Sequence, residues 1–414
     1  MAFEVLFYDD ATPYDITCDV YSINIRRGRT LELENIGPGT CVLQVRNHTR
    51  NFDPYFLETL GFLLQGSGDF LLQTSGDKLI ARTSSNSTGD YGPIEVGRKI
   101  RVSDDGVVVF TGIVEDYDYG WTQPGEGLVT ITCADALTTL AASDLSEHTT
   151  TRQLPGPRIA SILSRPEVDF PTGAANRDLD DGLTWLEPAE VQDDTNALRY
   201  CQTVALSDLY RLFADRTDKI VGRSRETTRA QTASVDFGNN AIDIDGVDVR
   251  FGSEQLHFKV SVSRVGGTPR IATNQTAIDA NPRQGARQRN IVGLLSEHDA
   301  YSEAFSEGLV ARFSSPFAVV SGLELVLNGM SVSDRADVAA LDINDIVTLD
   351  WTPTCSGGSV SQTLIVEGCT YETSIADQRV RKRLHLSAID TNRYWTLEDP
   401  ELGFIDVPDI VLAY

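Results

Sequence analysis

The feature that most constrains the fold is a run near the start of the chain in which apolar and polar residues alternate. Tyr21, Ile23 and Ile25 alternate with polar residues, and Val42 to Val45 follow after a Gly-Pro-Gly turn. A period of two predicts half-buried β-strands, and Gly-rich segments between them predict turns. We therefore expect the chain to begin as a β domain.

A characteristic order of short motifs lies within and just after these strands. The residues are Arg26, Arg27, Gly28, Arg29, then Leu31-Glu32-Leu33, Gly37-Pro38-Gly39-Thr40, Asn47, Phe52, Asp53 and Pro54. This order resembles the N-terminal β-barrel of the baseplate hub proteins, often called minor tail proteins, of long-tailed bacteriophages. The resemblance implies a structural part for these residues, and none of them has an obvious catalytic task.

Further segments along the chain resemble the same family in the same order. They are VFTGIV and VTITCADALTTLA, LFADRTDKIVGRSR, VSVSRVGGT, INDIVTLDW, LIVEGCTYE and KRLHLSA. The resemblance implies a mainly β protein with an α+β insertion: two related tail-tube-like β-barrels, a small α/β domain and an extended C-terminal arm. It also implies a homotrimeric ring that joins the tail tube and distal tail protein to a central fibre or tip, around the tape-measure protein and the DNA path.

A chain of 414 residues is too long for one ordinary core, so several domains are expected. We predict a first barrel over residues 1–145, an α/β domain over 146–230, a second barrel over 231–388 with a helix at 299–313, and an acidic arm over 389–414. Residues 57–93 contain the tandem repeat FLLQGSGD-FLLQTSGD and are interpreted as an elaborated loop.

Several local signals fix element boundaries. Asp104-Asp105-Gly106 between apolar runs predicts a hairpin, and Asp135 is placed to cap a short helix. Thr195 is expected to cap a longer helix whose apolar positions continue as far as Phe213. In the helix predicted at 299–313, Tyr301 is expected to point inward with the apolar residues that follow it.

The formal net charge of −25 excludes a general nucleic-acid binder, because binding to phosphates needs clustered Lys and Arg. Two interpretations remain open: a soluble acidic surface, or a channel wall along which DNA slides without specific binding. The six cysteines lack metal-site spacing, so we expect free, mostly buried thiols and neither metal nor cofactor. The acidic run 178–181 is interpreted as a solvated loop, with a hard cation as the alternative.

Two basic stretches are candidate contact surfaces. Arg379, Arg381 and Arg383, with His385, fall on one face of a predicted strand. A row of like charges is costly unless it is paired, so we expect these arginines to meet acidic residues across a subunit interface. Arg223, Arg225 and Arg229 are interpreted as a solvated strand face or a contact with an acidic neighbour.

No HExxH, GxSxG, Walker or dinucleotide motif is present, so an enzyme is not expected. Two rivals stay open: a distal tail protein forming hexamers, and a tail-tip protein that binds or hydrolyses carbohydrate, for which the tryptophans are the support. The N-terminus lacks signal-peptide features and no run of about 18 apolar residues exists, so we expect synthesis in a host cytoplasm, no membrane span and a place in the virion tail tip.

Overall fold

The computed structural model describes most of the chain. The described residues are 3–9, 11–32, 34–48, 51–52, 60–62, 80–82, 88–89, 92–122, 126–239, 241–252, 256–314, 318–353, 358–374, 379–389, 393–395 and 410–412. The tandem repeat at 62–77 therefore lies almost wholly outside the described residues, as do Asp53 and Pro54.

The first part of the chain is built mainly from strands. They are β1 Phe3–Asp9, β2 Thr12–Asp15, β3 Val20–Gly28, β4 Thr40–Arg46, β5 Leu60–Phe62, β6 Ile80–Arg82, β7 Thr88–Gly89, β8 Gly92–Pro93, β9 Lys99–Asp104, β10 Val107–Thr122 and β11 Glu126–Ala134, with a 3₁₀ turn at Thr17–Asp19. The hairpin between β9 and β10 is confirmed: Asp105 and Gly106 have φ of 45° and 86°, as a two-residue primed turn requires.

The middle of the chain mixes short helices and strands. They are α1 Leu137–Ala141, β12 Asp144–Leu145, β13 His148–Thr149, α2 Pro155–Leu163, β14 Arg177–Leu179, β15 Glu190–Val191, β16 Thr195–Asn196, α3 Ala197–Leu206, β17 Arg211–Ala214, β18 Ile220–Arg223 and α4 Arg225–Ala230. In the sheet β14-β18-β17 the first pair is parallel and the second antiparallel. These elements share a core of their own, centred on residues such as Ile159, Leu198 and Phe213.

Three expectations for this region are corrected. Asn196, not Thr195, caps α3, because its side chain accepts a hydrogen bond from the Arg199 backbone N–H. The helix ends at Leu206, and Phe213 lies in a strand. Arg225 and Arg229 lie on α4, so they are not part of a strand face.

The last part of the chain returns to strands. They are β19 Val235–Gly238, β20 Gly246–Arg250, β21 Lys259–Arg264, β22 Arg270–Thr273, β23 Gln288–Leu294, β24 Val319–Val326, β25 Ile346–Trp351, β26 Val360–Ser374, β27 Val380–Ala388, β28 Arg393–Trp395 and β29 Ile410–Leu412. The helices between them are α5 Gln275–Ala280, α6 Asp299–Phe313 and α7 Val332–Ala340, with a 3₁₀ turn at Leu327–Gly329.

One 13-stranded sheet joins the first and last parts of the chain. Its central path runs β2-β1-β9-β10-β11-β4-β3-β26-β27-β24-β20, and β25 and β19 branch from β26. The long strand β26 makes this possible, because residues 360–365 pair with β25 and residues 368–374 pair with β3. A single apolar core lines one face, from Val5 to Leu386. The prediction of a mainly β fold is confirmed, while the domain boundaries stay a prediction.

Helix α6 begins and ends where the sequence predicts, and it covers one face of the sheet β22-β21-β23. Its buried residues are Ser302, Ser306, Leu309, Val310 and Phe313. The expectation for Tyr301 is wrong: this residue is 39% exposed, because two serines take the inward positions of the first turns.

Most of the described cysteines are buried, as expected. Cys41, Cys133, Cys201 and Cys369 are buried and free, whereas Cys18 is exposed. In the described part of the chain, no group of three His, Cys, Asp or Glu side chains is placed to hold a metal ion. None of the described helices combines the length and apolarity needed to cross a membrane.

Candidate functional site: a charged junction and a polar sheet face

The motif Arg26 to Arg29 lies at the end of β3, where the strand's alternation separates its arginines. Arg26 faces solvent, whereas Arg27 is only 4% exposed and lies on the same face as the buried Ile25. Burial of an arginine is tolerated only when its charge is paired and its donors are used. The fold pairs the charge and uses the two terminal nitrogens from parts of the chain far away in sequence, while Nε has no hydrogen-bond partner among the described residues.

Arg27 connects the three parts of the molecule. Its Nη1 lies 2.9 Å from Oδ1 of Asp342, which precedes β25, and its Nη2 donates to the carbonyl oxygen of Ala214 in β17 at 2.6 Å. Burial acts to raise the pKa of the Asp342 carboxyl, but Arg27 and backbone N–H donors lower it further than burial raises it. Asp342 also accepts from the Arg216 backbone N–H at 2.8 Å.

Asp135 completes this side of the junction. One carboxylate oxygen accepts from the Gly39 N–H at 2.8 Å, and the other accepts from the Leu137 N–H at 3.1 Å, at the first residue of α1. The expected capping contact is therefore present, although the formal cap position is Ala136. Burial raises the pKa of Asp135 to about 7, against the opposing effect of Arg27 and the two backbone donors.

Gly28 makes the close approach between β3 and β26 possible. Its φ is +82°, a conformation that L side chains rarely adopt, and a Cβ there would overlap the carbonyl oxygen of Glu367 and the Cα of Gly368. The pairing of β26 with β27 shifts by one residue between Val366 and Gly368, which is a β-bulge. The two glycines therefore allow the main sheet to pass from one half of the chain to the other.

Glu367 lies in this bulge and is fully buried. Arg29 donates from Nε to Oε2 at 2.7 Å, Arg211 of β17 binds both oxygens at 2.9 Å, and the Ser387 hydroxyl donates at 2.6 Å. Burial acts to raise the pKa of this carboxyl, but the guanidiniums of Arg211 and Arg29 outweigh it and lower the pKa to about 2. One carboxylate thus holds the first half, the α/β region and the second half together.

The other motif residues are structural within the first half. The Asn47 side chain is buried and accepts from the Phe52 backbone N–H at 3.0 Å. Phe52 is 1% exposed and meets Phe7 edge-to-face with ring centroids 6.2 Å apart. Asp53 and Pro54 belong to the undescribed residues, so their expected roles stay predictions.

The face of the main sheet opposite the core is polar, and it is continuous over eight strands. Cross-strand register aligns Asp116, Thr132, Val42, Asn24, Glu372, Arg381 and Val326 in one row. The neighbouring row contains Thr40, Arg26, Thr370, Arg383, Glu324 and Gly246. Polar contacts run along the rows, such as Asn24 to Glu372 at 3.2 Å. We call these eight strands, β10-β11-β4-β3-β26-β27-β24-β20, the polar wall.

The predicted arginine row lies on this polar wall. Arg381 and Arg383 alternate with the buried Lys382 and Leu384, and Arg379 precedes the strand. Arg383 pairs with Asp248 of β20 within the same chain. The acidic neighbours that the sequence led us to expect are thus present within the subunit for Arg383, and the contact between subunits stays a prediction.

Two aspartates of the acidic run at 178–181 pair with one arginine of the same chain, and the first of them lies in β14 and not in the expected loop. Arg223 lies 2.6 Å from Asp178 and 3.3 Å from Asp180, and the pKa of Asp178 is lowered, chiefly by its hydrogen bond from Arg223. The ionic partner of these aspartates is therefore a guanidinium.

Sequence reasoning missed the acidic partners of the motif, Glu367 and Asp342, and the second arginine on Glu367, Arg211. One signal points to Glu367: it is a lone charge followed by glycine inside the apolar strand LIVEGCTY. A charged residue and a glycine within a buried strand are typical of a bulge with a paired charge. The pairing with Arg29 and Arg211 depends on contacts over 338 and 156 residues, which a single sequence does not reveal.

Two solved structures of tail proteins share the fold of this chain, although the sequences are distant. The chain is 13% identical to the 43 kDa tail protein of prophage MuSo2 from Shewanella oneidensis, with a TM-score of 0.59 over 94% of this chain and 98% of that one. It is 10% identical to a tail protein from Neisseria meningitidis MC58, with a TM-score of 0.60 over 93% and 96%. No protein-family model and no curated protein sequence matches the chain.

Proposed function

We propose that this chain is a structural, non-enzymatic component of a bacteriophage tail, and that it acts as a subunit of the baseplate hub ring at the tail tip. The observation that carries the proposal is the polar wall, an uninterrupted sheet face of eight strands whose other face is the main core. A sheet with one buried and one solvated face is suited to line a channel. The fold shared end to end with two tail proteins supports the same assignment.

A homotrimer would present 3 × 8 = 24 strands towards the centre of a ring. Both ends of the polar wall suit such closure. β20 is an edge strand, and β10 pairs with β9 only as far as Ile113, so its residues 116–122 have one described strand neighbour, β11. An edge strand exposes unpaired backbone groups that another copy can pair or cover.

The charges on the polar wall determine how it would interact with DNA in the proposed channel. The aligned rows carry carboxylates and guanidiniums as neighbours, for example Glu372 beside Arg381 and Glu324 beside Arg383. The acidic excess of the chain is therefore not concentrated there. A wall of alternating charges offers DNA no continuous basic track, so the proposed passage of DNA needs no specific binding.

In this proposal the ring joins the tail tube and the distal tail protein to the central fibre or tip, and it surrounds the tape-measure protein and the DNA. Residues 1–145 and 231–388 supply the two wall segments, residues 146–230 stand beside them, and the acidic arm 389–414 contacts a neighbour. The charged junction at Glu367 and Arg27 holds these parts in a fixed relation, which a ring of defined diameter requires.

The absolute mass of the purified chain tests the proposal. With a subunit of 45.3 kDa, multi-angle light scattering is expected to give 3 × 45.3 ≈ 136 kDa, and electron microscopy of that peak should display a ring with a central hole. A hexamer of 6 × 45.3 ≈ 272 kDa would instead assign the chain to the distal tail protein class. A strict monomer that remains monomeric with purified tail tubes, and is absent from virions, would overturn both assignments.

A further inference from the structure

Large apolar side chains are exposed on the core side of the polar wall at both of its edges. At one edge, Val249 (47%) and Phe251 (70%) lie on and just after β20, and Val249 is opposite the buried Val320. At the other edge, Trp121 (57%) follows Tyr119, which packs against the main core, along β10. The apolar layer beneath the wall thus reaches solvent at both edges of a single copy.

The strand directions allow one edge to continue into the other edge of a second copy. The wall has eight strands and every neighbouring pair in it is antiparallel, so β20 runs opposite to β10. A copy related by rotation about the ring axis keeps the direction of its own β10. That strand therefore runs antiparallel to β20 of the first copy, with the core sides of both sheets on the same side.

We infer that β20 of one copy pairs with β10 of the next in the register that places Val249 opposite Tyr119. On the core side, two further pairs follow from this register: Phe251 with Tyr117, and Val247 with Trp121. On the wall side, the Arg250 guanidinium lies opposite the Asp118 carboxylate, and opposite charges on directly paired positions stabilise a sheet. This register rests on the proposed trimer and specifies the contact by which its copies meet.

The stagger of the strands supports this register independently. Val326 of β24 lies in the cross-strand row of Asp116, and Gly246 lies opposite Glu324, two residues to one side of that row. In the inferred register Gly246 meets residue 122 of the copy, six residues to the other side of the row, so the wall advances eight residues per subunit. Three subunits then give a shear of 3 × 8 = 24 for 24 strands. The same ratio in an eight-stranded barrel gives a strand tilt of about 36°.

The neighbouring registers fit less well. A shift of one residue would turn core-side residues to the wall side. A shift of two residues that pairs Asp248 with Asp118 places two carboxylates face to face. Its advance of six residues per subunit gives a shear of 3 × 6 = 18 and a tilt of roughly 27°, below the usual range of barrels. The opposite shift places Arg250 opposite Gly120, so the arginine has no carboxylate directly across the contact.

Disulfide cross-linking in the full chain tests the register. Arg250→Cys combined with Asp118→Cys brings two thiols to directly paired positions, whose Cα atoms lie about 4.5–5.5 Å apart, within the reach of a disulfide. After oxidation with copper phenanthroline, we expect a covalent trimer of 3 × 45.3 ≈ 136 kDa in a denaturing, non-reducing gel. The matched control, Asp248→Cys with Asp118→Cys, is two residues out of register and should remain monomeric in the gel, as should each single variant.

Light scattering before oxidation separates the register from the proposed function. If the protein is a trimer but the control pair cross-links as well as the chosen pair, or neither pair cross-links, the register is wrong and the ring stands. A covalent dimer of Arg250→Cys alone would indicate a two-fold contact between β20 strands and would also overturn the register. If the original protein forms no trimer, the ring fails and the register fails with it.

Two apolar substitutions test the same contact without cysteines. Phe251→Ser should raise the concentration at which the trimer dissociates by about tenfold or more, because each contact between copies buries less apolar area. Val292→Ser, at a side chain that is 74% exposed on β23, should leave that concentration unchanged. Equal effects of the two variants would contradict an apolar contact between the edges of the wall.

Discussion

At the scale of single residues, buried charges decide how the parts of this protein are joined. Glu367 binds Arg29, Arg211 and Ser387 without contact with water. A buried ion pair adds little net stability compared with an apolar replacement, but losing one partner leaves an uncompensated charge in the core. The junction is therefore sensitive to any change that removes one side only.

Glu367→Gln is expected to destabilise the protein by about 3–5 kcal/mol, because two guanidiniums that are each only 15% exposed lose their counterion. Chemical denaturation of the purified chain measures the change. Glu372→Gln, five residues further along the same strand and exposed, is the matched control and should alter stability by less than about 1 kcal/mol. Similar losses in both variants would contradict the importance of the buried site.

Gly28→Ala is expected to lower the free energy of unfolding by about 2 kcal/mol or more, because a Cβ would overlap β26 and the residue has a positive φ. Gly37→Ala is the control, since no atom lies within 4 Å of the position its Cβ would take. Thermal unfolding of the two variants compares them directly. Equal melting temperatures would mean that β3 and β26 can move apart at Gly28 without loss of stability.

Asp135 gives stability a pH dependence whose sign follows from its pKa. Burial raises the folded pKa to about 7 from an ordinary value of 3.8. Between these values the folded state holds a proton that the unfolded state has lost, so this group's contribution to stability falls as pH rises from about 4 to 7. Glu367 acts in the opposite direction, and its contribution is lost as pH falls from 4.5 towards 2.

Asp135→Asn should therefore reduce the decline in stability between pH 4 and 7, although it also loses one of the two backbone hydrogen bonds. Denaturation curves at several pH values, for the original protein and the variant, measure the two slopes. Asp118→Asn, on the exposed face of β10, should retain the original slope. A slope unchanged in Asp135→Asn would assign the pH dependence to other groups.

At the scale of elements, local signals in the sequence predicted the turns, helix bounds and strand faces that depend on neighbouring residues. The Asp105-Gly106 turn, the exact span of α6 and the alternation of β3 and β27 all follow from turn chemistry and periodicity. The end of α3 could not be predicted in this way, because the apolar spacing continues into β17 after the helix has ended at Leu206. Periodicity cannot separate a helix from a buried strand when both follow within a few residues.

The row of basic residues in β27 illustrates the same limit. Alternation placed Arg381 and Arg383 on one face and therefore Lys382 on the other, yet it does not reveal which groups satisfy a lysine in the core. The Lys382 ammonium donates to the carbonyl oxygens of Val338, Ala339 and Leu341 at 2.8, 3.2 and 2.8 Å, at the end of α7. A cation at a helix C-terminus satisfies carbonyl groups that the helix leaves unpaired.

Lys382→Met is expected to lower the free energy of unfolding by about 1–3 kcal/mol, because buried carbonyl groups lose their donor. Methionine retains most of the volume, so packing is little changed. Hydrogen exchange should locate the loss at α7, whose amides would exchange faster than those of α6. An equally stable variant would indicate that water replaces the ammonium at the helix end.

At the scale of the whole molecule, the mainly β fold was predictable, whereas the single sheet through both halves was not. The alternating strands predict two β regions, but the β3–β26 pairing joins residues 340 or more positions apart, and two glycines allow the strands to approach. The same holds for the tryptophans. Trp121 and Trp185 are exposed, which a single sequence does not reveal, because exposure depends on the surrounding fold.

The predicted subunit contact belongs to this scale, because it concerns how copies meet. We expect replacement of Arg379, Arg381 and Arg383 by Glu to prevent ring formation while the monomer stays folded. Within the chain, however, Glu372 and Glu324 lie opposite two of these positions, and Asp248 binds Arg383. Charge reversal would therefore also place like charges side by side inside the subunit.

Replacing the same three arginines by Gln separates these effects, since it removes the charges without adding repulsion. If the row meets acidic residues of a neighbouring copy, both triple variants should lose the trimer in light scattering. The Gln variant should then keep its melting temperature within a few degrees, because exposed ion pairs contribute about 0.2–1 kcal/mol each. A Gln variant that still trimerises would mean that Arg379, Arg381 and Arg383 serve the polar wall of their own subunit, and that the edges of β10 and β20 carry the assembly.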